Sequence, residues 1–488
     1  MSWQPLSQDP YLDEQLNQQL QYNDLNADSH QRLRRINRSF RTEVSKLIVS
    51  QIPEGSTVLD LGCGDASLLS EVKASLAVGI DIAPTSHPIV SEQNRPPVTI
   101  FQSAIERFDF KTLNTTFDYV VLSGVLEHVY DVLGVFHKIR ESADSKTRVI
   151  VVTYSRLWQP VFRLAEKFKL KAALPTQNWV PVSELENLGI QSGFELVKTQ
   201  RSILIPFYVP LVSRWVNKWL APLPIIRQLT FAHLTVLRPR NFAQEAQSVS
   251  VVIAARNESG NIKQLLDRMP RLAENQEIVF VEGGSTDDTW LTIKEEARRR
   301  TETNYPFAIK SLQQLGKGKG DAVRVGFDVA EGDIFIILDA DLSVPPEELA
   351  RFINCLKSGN AEFANGSRLV YGMEGGAMRF LNLLGNRFFG SLFSFLLGQQ
   401  VRDTLCGTKA LTRANYQRIV DNRDKFGDFD PFGDFDLLFG AAALNLKIRD
   451  QPVHYKARTY GETNISRFRH GWLLLRMSWV AARKIKFI

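Results

Sequence analysis

Cysteine is scarce in this chain, and its three cysteines lie far apart at Cys63, Cys355 and Cys406. That spacing excludes a disulfide framework and a paired-cysteine metal site. The sequence also lacks an uninterrupted run of about 18 apolar residues, the length that crosses a bilayer as a helix. Its most apolar stretch, 388–397, is about half that long. This stretch favours a buried helix or one that lies at a membrane surface.

An apolar signal segment is missing as well, because residues 1–20 are rich in Gln, Asp and Asn. Neither sign of charge dominates, since the net charge is +6 over 488 residues. The hydrophobic fraction of 44% and the charged fraction of 23% are those of a globular protein rather than a disordered or fibrous one. From these absences we expect a cytoplasmic protein.

The length exceeds what one hydrophobic core usually supports, and it predicts two domains. The polar segment 239–248 marks the boundary, which places the domains at 1–240 and 248–488. Within the first 50 residues, apolar positions recur at helical spacing, for example in 32–36 and 44–49. The chain is therefore expected to begin with helices.

Short apolar runs alternate with helical stretches in both halves, which is the pattern of α/β domains. In the first half this alternation runs through 57–152 and predicts a parallel sheet. In the second half it predicts strands at 249–254, 277–281 and 333–338. Residues 155–238 carry four tryptophans among Pro and Leu residues, and we interpret them as an appended cap or substrate subdomain.

A glycine-containing turn follows the first apolar strand. That strand ends in Asp60, Gly62 and Gly64 come next, and Asp81 ends the following apolar run. The glycines let the backbone turn tightly towards a ligand at a helix N-terminus, and the Asp81 carboxylate can accept both ribose hydroxyls. A dinucleotide motif would place glycine where Ser67 stands, and the Asp60 carboxylate would repel a pyrophosphate. The pattern favours a nucleoside ligand that carries positive charge.

These residues, together with 117–129 and its Leu-Glu-His sequence, resemble the class I methyltransferases that use S-adenosylmethionine. The resemblance implies a Rossmann-like fold with seven strands, in which the first glycine turn surrounds the aminoacyl group and Asp81 the ribose. Ala104 would lie near the adenine, and Glu127 and His128 would face the methyl group or its acceptor. A packed histidine at a helix start is the alternative for His128, and the methyl acceptor stays open.

In the second half, acidic and small polar residues follow three predicted strands. Arg-Asn-Glu occupies 256–258, a Gly-Gly-Ser-Thr-Asp run follows Glu282, and the third strand ends in Asp339-Ala-Asp341. Residues two apart in an extended segment face the same side. Asp339 and Asp341 are therefore predicted to hold one divalent cation, which would clamp a nucleotide diphosphate.

In this order the motifs resemble the family 2 glycosyltransferases of the GT-A fold, over about 248–478. The resemblance implies a UDP- or GDP-linked sugar as donor, Mg²⁺ or Mn²⁺ at the aspartate pair, and donor contacts from Glu258 and Glu282. Ala254 stands where the family often has proline, and Glu282 where it usually has aspartate. The longer acid leaves the choice between uridine and guanosine donors open.

Residues 316–324 contain Gly-Lys-Gly-Lys-Gly but do not satisfy the Walker A pattern. They look instead like a segment that lies near the donor in the same glycosyltransferases. This resemblance assigns a donor-binding role to Lys317. A solvated basic turn is the alternative.

Two later stretches, 403–409 and 433–438, resemble counterparts in enzymes that load a sugar onto a polyprenyl phosphate, such as the dolichyl-phosphate mannosyl and glucosyl transferases. The resemblance implies that Asp434 or Asp436 lies near the acceptor. A lipid phosphate is already anionic, so the carboxylate would orient groups or bind the metal rather than act as a general base. A helix N-cap is the alternative for Asp434.

Basic residues are concentrated near the end of the chain, where Trp and Leu separate them and no acid follows Glu462. Segment 379–402 similarly has arginines beside Phe and Leu runs. Both patterns suit the headgroup region of an anionic membrane and predict peripheral attachment to its cytoplasmic face. Packing on the domain, or on a partner in a homo-oligomer, is the alternative. No motif that reads nucleic acid accompanies the basic residues.

The sequence thus predicts a bifunctional enzyme, an S-adenosylmethionine-dependent methyltransferase fused to an inverting glycosyltransferase that acts on a polyprenyl phosphate. The predicted catalytic residues are His128, Asp341, Asp434 and Asp436. One alternative is sugar transfer to a soluble or polysaccharide hydroxyl, with the methyltransferase modifying the same glycan. The other is a binding scaffold in which one domain is inactive.

Overall fold

The protein is described by a computed structural model that covers residues 10–25, 38–82, 98–167, 178–240, 246–371, 380–423, 435–458, 460 and 467–487. The chain divides into two compact units, and the main boundary falls between Arg240 and Asn241. Each unit contains a seven-stranded sheet flanked by helices. The predicted fold class, two α/β domains in tandem, is confirmed.

Unit 1 is built on a mixed sheet. Its strands are β1 (Thr57–Leu61), β2 (Leu76–Asp81), β3 (Val98–Gln102), β4 (Tyr119–Ser123), β5 (Arg148–Tyr154), β6 (Phe194–Ser202) and β7 (Ala232–Pro239). Their order across the sheet is β3-β2-β1-β4-β5-β7-β6. The first five strands are mutually parallel, and β7 runs antiparallel to both β5 and β6.

The helices of unit 1 are mostly short. They are α1 (Pro10–Leu25), α2 (Arg38–Val49), α3 (Ser67–Glu71), α4 (Val132–Glu141), α5 (Gln159–Lys167), α6 (Val182–Gln191) and α7 (Val212–Trp215). The helix predicted at 32–36 lies outside the described residues. The helical prediction for 44–49 falls within α2.

The sheet of unit 1 is covered on both faces, which explains its nearly continuous apolar strands. Neighbouring residues along a strand enter different cores: Val58 and Val121 belong to one cluster, and Leu59 and Val120 to the other. Because side chains alternate between faces, a strand in the middle of such a sheet needs apolar residues at every position. This is why the alternation over 57–152 predicted the parallel part correctly.

The interpretation of 155–238 as an appended cap is wrong for much of that stretch. Strands β6 and β7 belong to the main sheet, and every residue of β7 is buried. Trp, Pro and Leu residues on either side of the two strands obscure the strand pattern in the sequence. Outside the strands, the described part of this stretch contains α5, α6 and residues 203–231, which connect β6 to β7.

Unit 2 has its own mixed sheet. Its strands are β8 (Ser248–Ala255), β9 (Asn275–Glu282), β10 (Ala308–Gln313), β11 (Ile334–Asp339), β12 (Phe363–Ser367), β13 (Lys409–Thr412) and β14 (Ile448–Pro452). The order is β10-β9-β8-β11-β13-β12-β14. Strands β8 to β11 pair in parallel, whereas β13 is antiparallel to β11 and β12. The three predicted strands match β8, β9 and β11 closely.

Eight α-helices are described in unit 2. They are α8 (Ser259–Asp267), α9 (Thr289–Glu302), α10 (Lys319–Val329), α11 (Leu349–Lys357), α12 (Phe380–Leu397), α13 (Arg413–Asp421), α14 (Phe435–Ala443) and α15 (Arg467–Ala481). Across the parts of the chain that the structure covers, no helix is long and apolar enough to cross a membrane.

The parallel strands bring distant residues to one edge of each sheet. In unit 2, Asp339 pairs in register with Ala254, and Glu282 pairs with Ala255. In unit 1, Asp60 lies in register with Gly79. The carboxyl ends of parallel strands are where α/β folds bind ligands, so these edges are the candidate sites.

Candidate active sites

The turn after β1 requires its glycines. Gly62 and Gly64 have φ angles of +79° and +55°, values that side-chain-bearing residues rarely adopt. At Gly62 a Cβ atom would also lie 2.5 Å from a methyl group of Val125. Ala66 adopts a left-handed φ of 52° and caps α3. The chain thus bends sharply between β1 and α3, which leaves space above the strand ends.

Asp60 and Asp81 face this turn from neighbouring strands. The Oδ2 atom of Asp81 accepts a hydrogen bond of 2.8 Å from the Gly64 amide. The Asp60 side chain is buried, and its Oδ1 atom has no hydrogen-bond partner among the described residues. Burial, followed by the charges of Asp81 and Asp65, raises the pKa of Asp60 to about 7. A positively charged ligand would stabilise the ionised form of this carboxylate.

Ala104 lies just beyond the end of β3, beside Asp81. The amide of Ser103 donates to the Asp81 carbonyl over 2.9 Å, which fixes the start of the loop at the edge of the site. Ala104 itself is half-buried. The structure therefore places Ala104 next to the residue that bonds the end of β2.

Glu127 and His128 lie in a turn between β4 and α4, so the alternative that placed His128 at a helix start is wrong. The His128 amide donates to the Val125 carbonyl over 2.9 Å. The Asn178 side chain stabilises this turn by donating to the carbonyls of Leu126 (3.0 Å) and Val129 (2.6 Å). Sequence reasoning missed Asn178 because it lies about 50 residues away in the chain.

Tyr154, at the end of β5, also belongs to this site. Its hydroxyl lies 2.7 Å from where a Cβ of Gly124 would stand. Burial, and then the charge of Glu127, raises the pKa of the Tyr154 hydroxyl, so it stays protonated. Its ring stacks on Phe231 with centroids 4.8 Å apart. The sequence offered no motif around Tyr154 that would have found it.

In unit 2, Asp339 and Asp341 are both engaged by cationic side chains. The Nζ atom of Lys319 lies 2.5 Å from Oδ1 of Asp339, and Nη2 of Arg458 lies 2.6 Å from Oδ2 of Asp341. Asp341 also accepts hydrogen bonds from the amide and hydroxyl of Ser343. The aspartates are therefore charge-compensated in this state.

The geometry of the pair differs from the strand alternation predicted for it. Strand β11 ends at Asp339, and Asp341 lies in the turn that follows. Asp341 thus reaches this edge through the turn, and both aspartates act on the pKa of Glu258. Lys317 is exposed in the loop before α10, whereas Lys319, the first residue of that helix, contacts Asp339.

Glu258 is a third carboxylate at this edge. Its Oε2 atom accepts a hydrogen bond of 2.6 Å from Asn261. Burial is the main reason that its pKa is raised to about 7, and the charges of Asp341 and Asp339 add to it. Among the described residues, no three His, Cys, Asp or Glu side chains are grouped to hold a metal.

Glu282 ends β9 and organises the turn after it. Burial raises its pKa, but hydrogen bonds from Ser285 and Gln313 outweigh this effect and lower the pKa below the ordinary value. The carboxylate is thus ionised and can only accept hydrogen bonds. Asn257, with a φ of +58°, accepts from the Thr286 amide over 2.8 Å. Hydrogen bonds between Asn257 and residues 285–286 thus connect the two sequence motifs, 256–258 and 284–289.

Asp436, at the N-terminal end of α14, lies between two arginines. Its Oδ2 atom is 3.7 Å from Nε of Arg324 and 3.6 Å from Nη2 of Arg423. Arg324 lies on α10, the helix that begins with Lys319. Asp434 lies outside the described residues.

Asp403 is buried beneath this edge and holds several elements together. The guanidinium of Arg368 donates two hydrogen bonds to it, of 2.7 and 2.9 Å, and the Arg368 amide donates another of 3.0 Å. The Asn386 side chain also donates to it, over 2.8 Å. Although burial raises its pKa, the charge and hydrogen bonds of Arg368 lower it to about 2. Asp403 therefore supports the loop that leads into β13.

Two family models match the chain. Residues 29–199 match the model described as methyltransferase domain, and residues 250–420 match glycosyl transferase family 2. The chain therefore carries a methyltransferase domain followed by a family 2 glycosyl transferase domain, and both predicted resemblances are confirmed.

Three known proteins are similar to part of this chain. The low-salt glycan biosynthesis hexosyltransferase Agl6 of Haloferax volcanii is 30% identical over 241 residues, 49% of this chain and 54% of that protein. The dolichol-phosphate mannosyltransferase of Pyrococcus furiosus is 38% identical over 127 residues, 25% of this chain and 34% of that protein. The matches thus span about half or less of each relative's length. The crystal structure of glucosyl-3-phosphoglycerate synthase from Mycobacterium tuberculosis is 18% identical, with 49% of this chain and 80% of that chain covered and a TM-score of 0.34.

Proposed function

We propose that unit 2 transfers a sugar, with inversion, from a UDP- or GDP-linked donor to a polyprenyl phosphate, and that unit 1 transfers a methyl group from S-adenosylmethionine. The observation that carries the first part is the cluster of Glu258, Asp339 and Asp341, balanced by Lys319 and Arg458, at the carboxyl edge of the sheet. When a donor binds, the aspartates of such a cluster can contact its cation, and the basic residues can contact its diphosphate.

Lys319 and Arg458 are the residues that would change partners when a donor binds. In the structure each neutralises one aspartate, and each is long enough to turn towards a phosphate. A divalent cation, when bound at Asp339 and Asp341, would stabilise the negative charge on the departing nucleoside diphosphate. Glu282 and the turn after it, locked to Asn257, would accept hydrogen bonds from the base and ribose.

The acceptor chemistry favours a phosphate. The bond between the sugar carbon and the diphosphate oxygen breaks as an acceptor phosphate oxygen attacks the opposite face, and no proton has to be removed. A hydroxyl acceptor would need a general base. Asp436 lies against Arg324 and Arg423, which suits a carboxylate that positions cationic side chains. Arginines held in this way could meet an anionic acceptor, and Asp434 remains proposed on resemblance alone.

In unit 1, we place the proposed cofactor site at the acidic residues that end the first strands. Asp60 would face the positive charge of S-adenosylmethionine, Asp81 would accept the ribose hydroxyls, and Ala104 would border the adenine. Glu127 and His128 would lie towards the methyl group or its acceptor. The buried carboxylate oxygen without a hydrogen-bond partner at Asp60 supports a cationic ligand, because an isolated buried charge is otherwise unfavourable.

Peripheral attachment to the cytoplasmic membrane face is part of this proposal. The exposed residues of α12 recur at helical spacing, with Leu384, Arg387 and Phe388 among them. On α15, Trp472 and Trp479 are exposed along one stripe that also carries basic and apolar residues. Helices with apolar and basic residues on one exposed face bind anionic membranes, and a polyprenyl acceptor cannot leave the bilayer cheaply.

The test is incubation of the full chain with a radiolabelled nucleotide sugar, polyprenyl phosphate and Mn²⁺, followed by organic extraction. We expect label in the lipid phase, and its loss in Asp341→Asn but not in the matched surface variant Glu302→Gln, whose carboxylate is exposed on α9. Label that appears only in a water-soluble glycan would favour the hydroxyl acceptor. Absence of transfer with every donor would favour the scaffold alternative.

The methyltransferase part is tested separately by calorimetry with S-adenosylmethionine. Asp81→Ala should weaken binding roughly thirtyfold, because it removes two ribose hydrogen bonds of about 1 kcal/mol each. Unchanged affinity in this variant would contradict the assignment of Asp81. Glu54→Gln, an exposed carboxylate of the same unit, is the control.

A further inference from the structure

The connection between β6 and β7 in unit 1, residues 203–231, has an unusual composition. It contains three basic residues, Arg214, Lys218 and Arg227, and no acid. The acid-free stretch is wider still, since no Asp or Glu occurs between Glu195 and Glu245. We call residues 203–231 the β6–β7 connection.

Large apolar side chains of this connection are exposed. The side chains concerned are Phe207, Tyr208, Leu211, Val212, Trp215, Ile225 and Leu229. Leu211 and Ile225 are 89% and 85% exposed, so almost the whole of each side chain meets water. Single exposed apolar residues are ordinary, but a concentration of them on one segment marks a binding surface.

The connection is held in this form by its own polar contacts. The buried Asn217 side chain accepts from the amides of Leu204 and Ile205, each at 2.9 Å, and donates to the Ile205 carbonyl at 2.9 Å. The indole nitrogen of Trp158 donates to the Leu229 carbonyl over 3.0 Å. These hydrogen bonds fix the backbone of the connection, on which the apolar side chains named above are exposed.

The charged residues of the connection and of the strands beside it are nearly all basic. Arg201, on β6, is close enough to Arg227 for the second positive charge to add to burial in lowering the pKa of Arg201. Burial and then Arg201 lower the pKa of His233 to about 4, so this histidine stays neutral. With no acid between Glu195 and Glu245, an anionic partner would balance these positive charges.

We infer that the β6–β7 connection docks unit 1 on an anionic lipid bilayer, with Leu211, Trp215 and Ile225 inserted among the acyl chains and Arg214 and Lys218 at the lipid phosphates. Apolar and aromatic side chains interleaved with Arg and Lys, without acids, are what an interfacial membrane element presents. This surface is separate in sequence from α12 and α15, and it does not depend on the function proposed for either unit.

The connection borders the site of unit 1. Its last residue, Phe231, stacks on Tyr154, and Trp158 packs edge-on against Phe231 at 5.7 Å between centroids. Docking would therefore bring a lipid surface to the segment that touches Tyr154. This links membrane contact to the part of the site where Glu127 lies.

The experiment is sedimentation of the full chain with vesicles of phosphatidylcholine, with or without phosphatidylglycerol. Leu211→Ser/Ile225→Ser should lower the partition coefficient on anionic vesicles by about tenfold for each side chain. Arg214→Gln/Lys218→Gln should lower it by roughly fivefold for each charge, on anionic vesicles alone. The matched control is Ile190→Ser/Leu291→Ser, two exposed apolar residues on α6 and α9, which should bind as the wild type does.

Each variant is also made in the Trp472→Ser/Trp479→Ser background, so that binding through α15 does not mask the effect. Unchanged vesicle binding by Leu211→Ser/Ile225→Ser in that background would overturn the inference. If the same variant instead converts an oligomer to a monomer in size-exclusion chromatography while vesicle binding persists, the connection is an interface between copies, and the inference is wrong. An unfolding midpoint equal to that of the wild type shows that the substitutions act on the surface.

Discussion

The guanidinium of Arg458 lies 2.6 Å from the carboxylate of Asp341, although the two residues are far apart in the chain. Lys319 contacts Asp339 in the same way. The aspartate pair is therefore neutralised from within the protein. An incoming divalent cation competes with these side chains, and this competition can be measured.

We predict that Arg458→Gln increases the affinity for Mn²⁺ alone. The substitution removes the positive charge that contacts Asp341. A charge-assisted contact of this kind contributes about 1.5–3 kcal/mol, so the affinity should increase by about tenfold or more. Free Mn²⁺ is measured by electron paramagnetic resonance in the absence of nucleotide. Arg351→Gln, which loses an ion pair on α11, should show the affinity of the wild type. Equal or weaker binding in Arg458→Gln would place the cation elsewhere.

Gly62→Ala should destabilise unit 1 more than Gly55→Ala does. Both glycines have φ near +80°, but a Cβ at Gly62 would meet Val125 at 2.5 Å, whereas nothing lies within 4 Å at Gly55. The strained backbone alone costs about 1 kcal/mol, and overpacking adds about 1–3 kcal/mol. Urea unfolding of both variants gives the difference. Equal losses would show that the turn after β1 can relax away from Val125.

Asp60→Asn should change the pH dependence of stability. The pKa of Asp60 is raised to about 7 by burial, so between about pH 4 and 7 the folded state binds a proton that the unfolded state has released. Stability therefore falls as pH rises through this window, by an amount on the order of a few kcal/mol. Urea unfolding at several pH values should show that Asp60→Asn lacks this fall and that Glu54→Gln retains it.

The same carboxylate should control cofactor binding in the opposite direction. A cationic ligand is attracted to ionised Asp60, so affinity for S-adenosylmethionine should increase as pH rises through about 7. Calorimetry of the wild type across this range checks the trend. An affinity that is independent of pH would mean that Asp60 does not face the positive charge of the ligand.

Asp403→Ala should destabilise unit 2 strongly. It leaves Arg368 as a buried charge without its carboxylate partner, which costs about 3–5 kcal/mol. Because the pKa of Asp403 is lowered to about 2, the stabilisation is present above about pH 4 and is lost as pH falls towards 2. Chemical denaturation at neutral and acidic pH tests both statements. The exposed pair of Arg298 and Glu302 offers the comparison, since Glu302→Ala should cost less than about 1 kcal/mol.

The sequence predicted those features that depend on neighbouring residues. The turn with Gly62 and Gly64 needs backbone angles that glycine adopts readily, and the apolar runs of β1 and β8 need burial on two faces. Such requirements leave a local pattern, so the two α/β folds and both family resemblances could be recognised without coordinates. The positions of Asp60 and Asp339 at strand ends follow from the same patterns.

Contacts between distant segments could not be predicted in this way. Arg458 on Asp341, Arg368 on Asp403 and the ring of Tyr154 beside Glu127 leave no local pattern, because each pair is formed only when the chain has folded. The sequence did not indicate that β6 and β7 belong to the main sheet, for the same reason. Strand pairing joins segments by backbone hydrogen bonds that nearly any sequence can make, so only the tertiary structure decides which strands are neighbours and which charges meet.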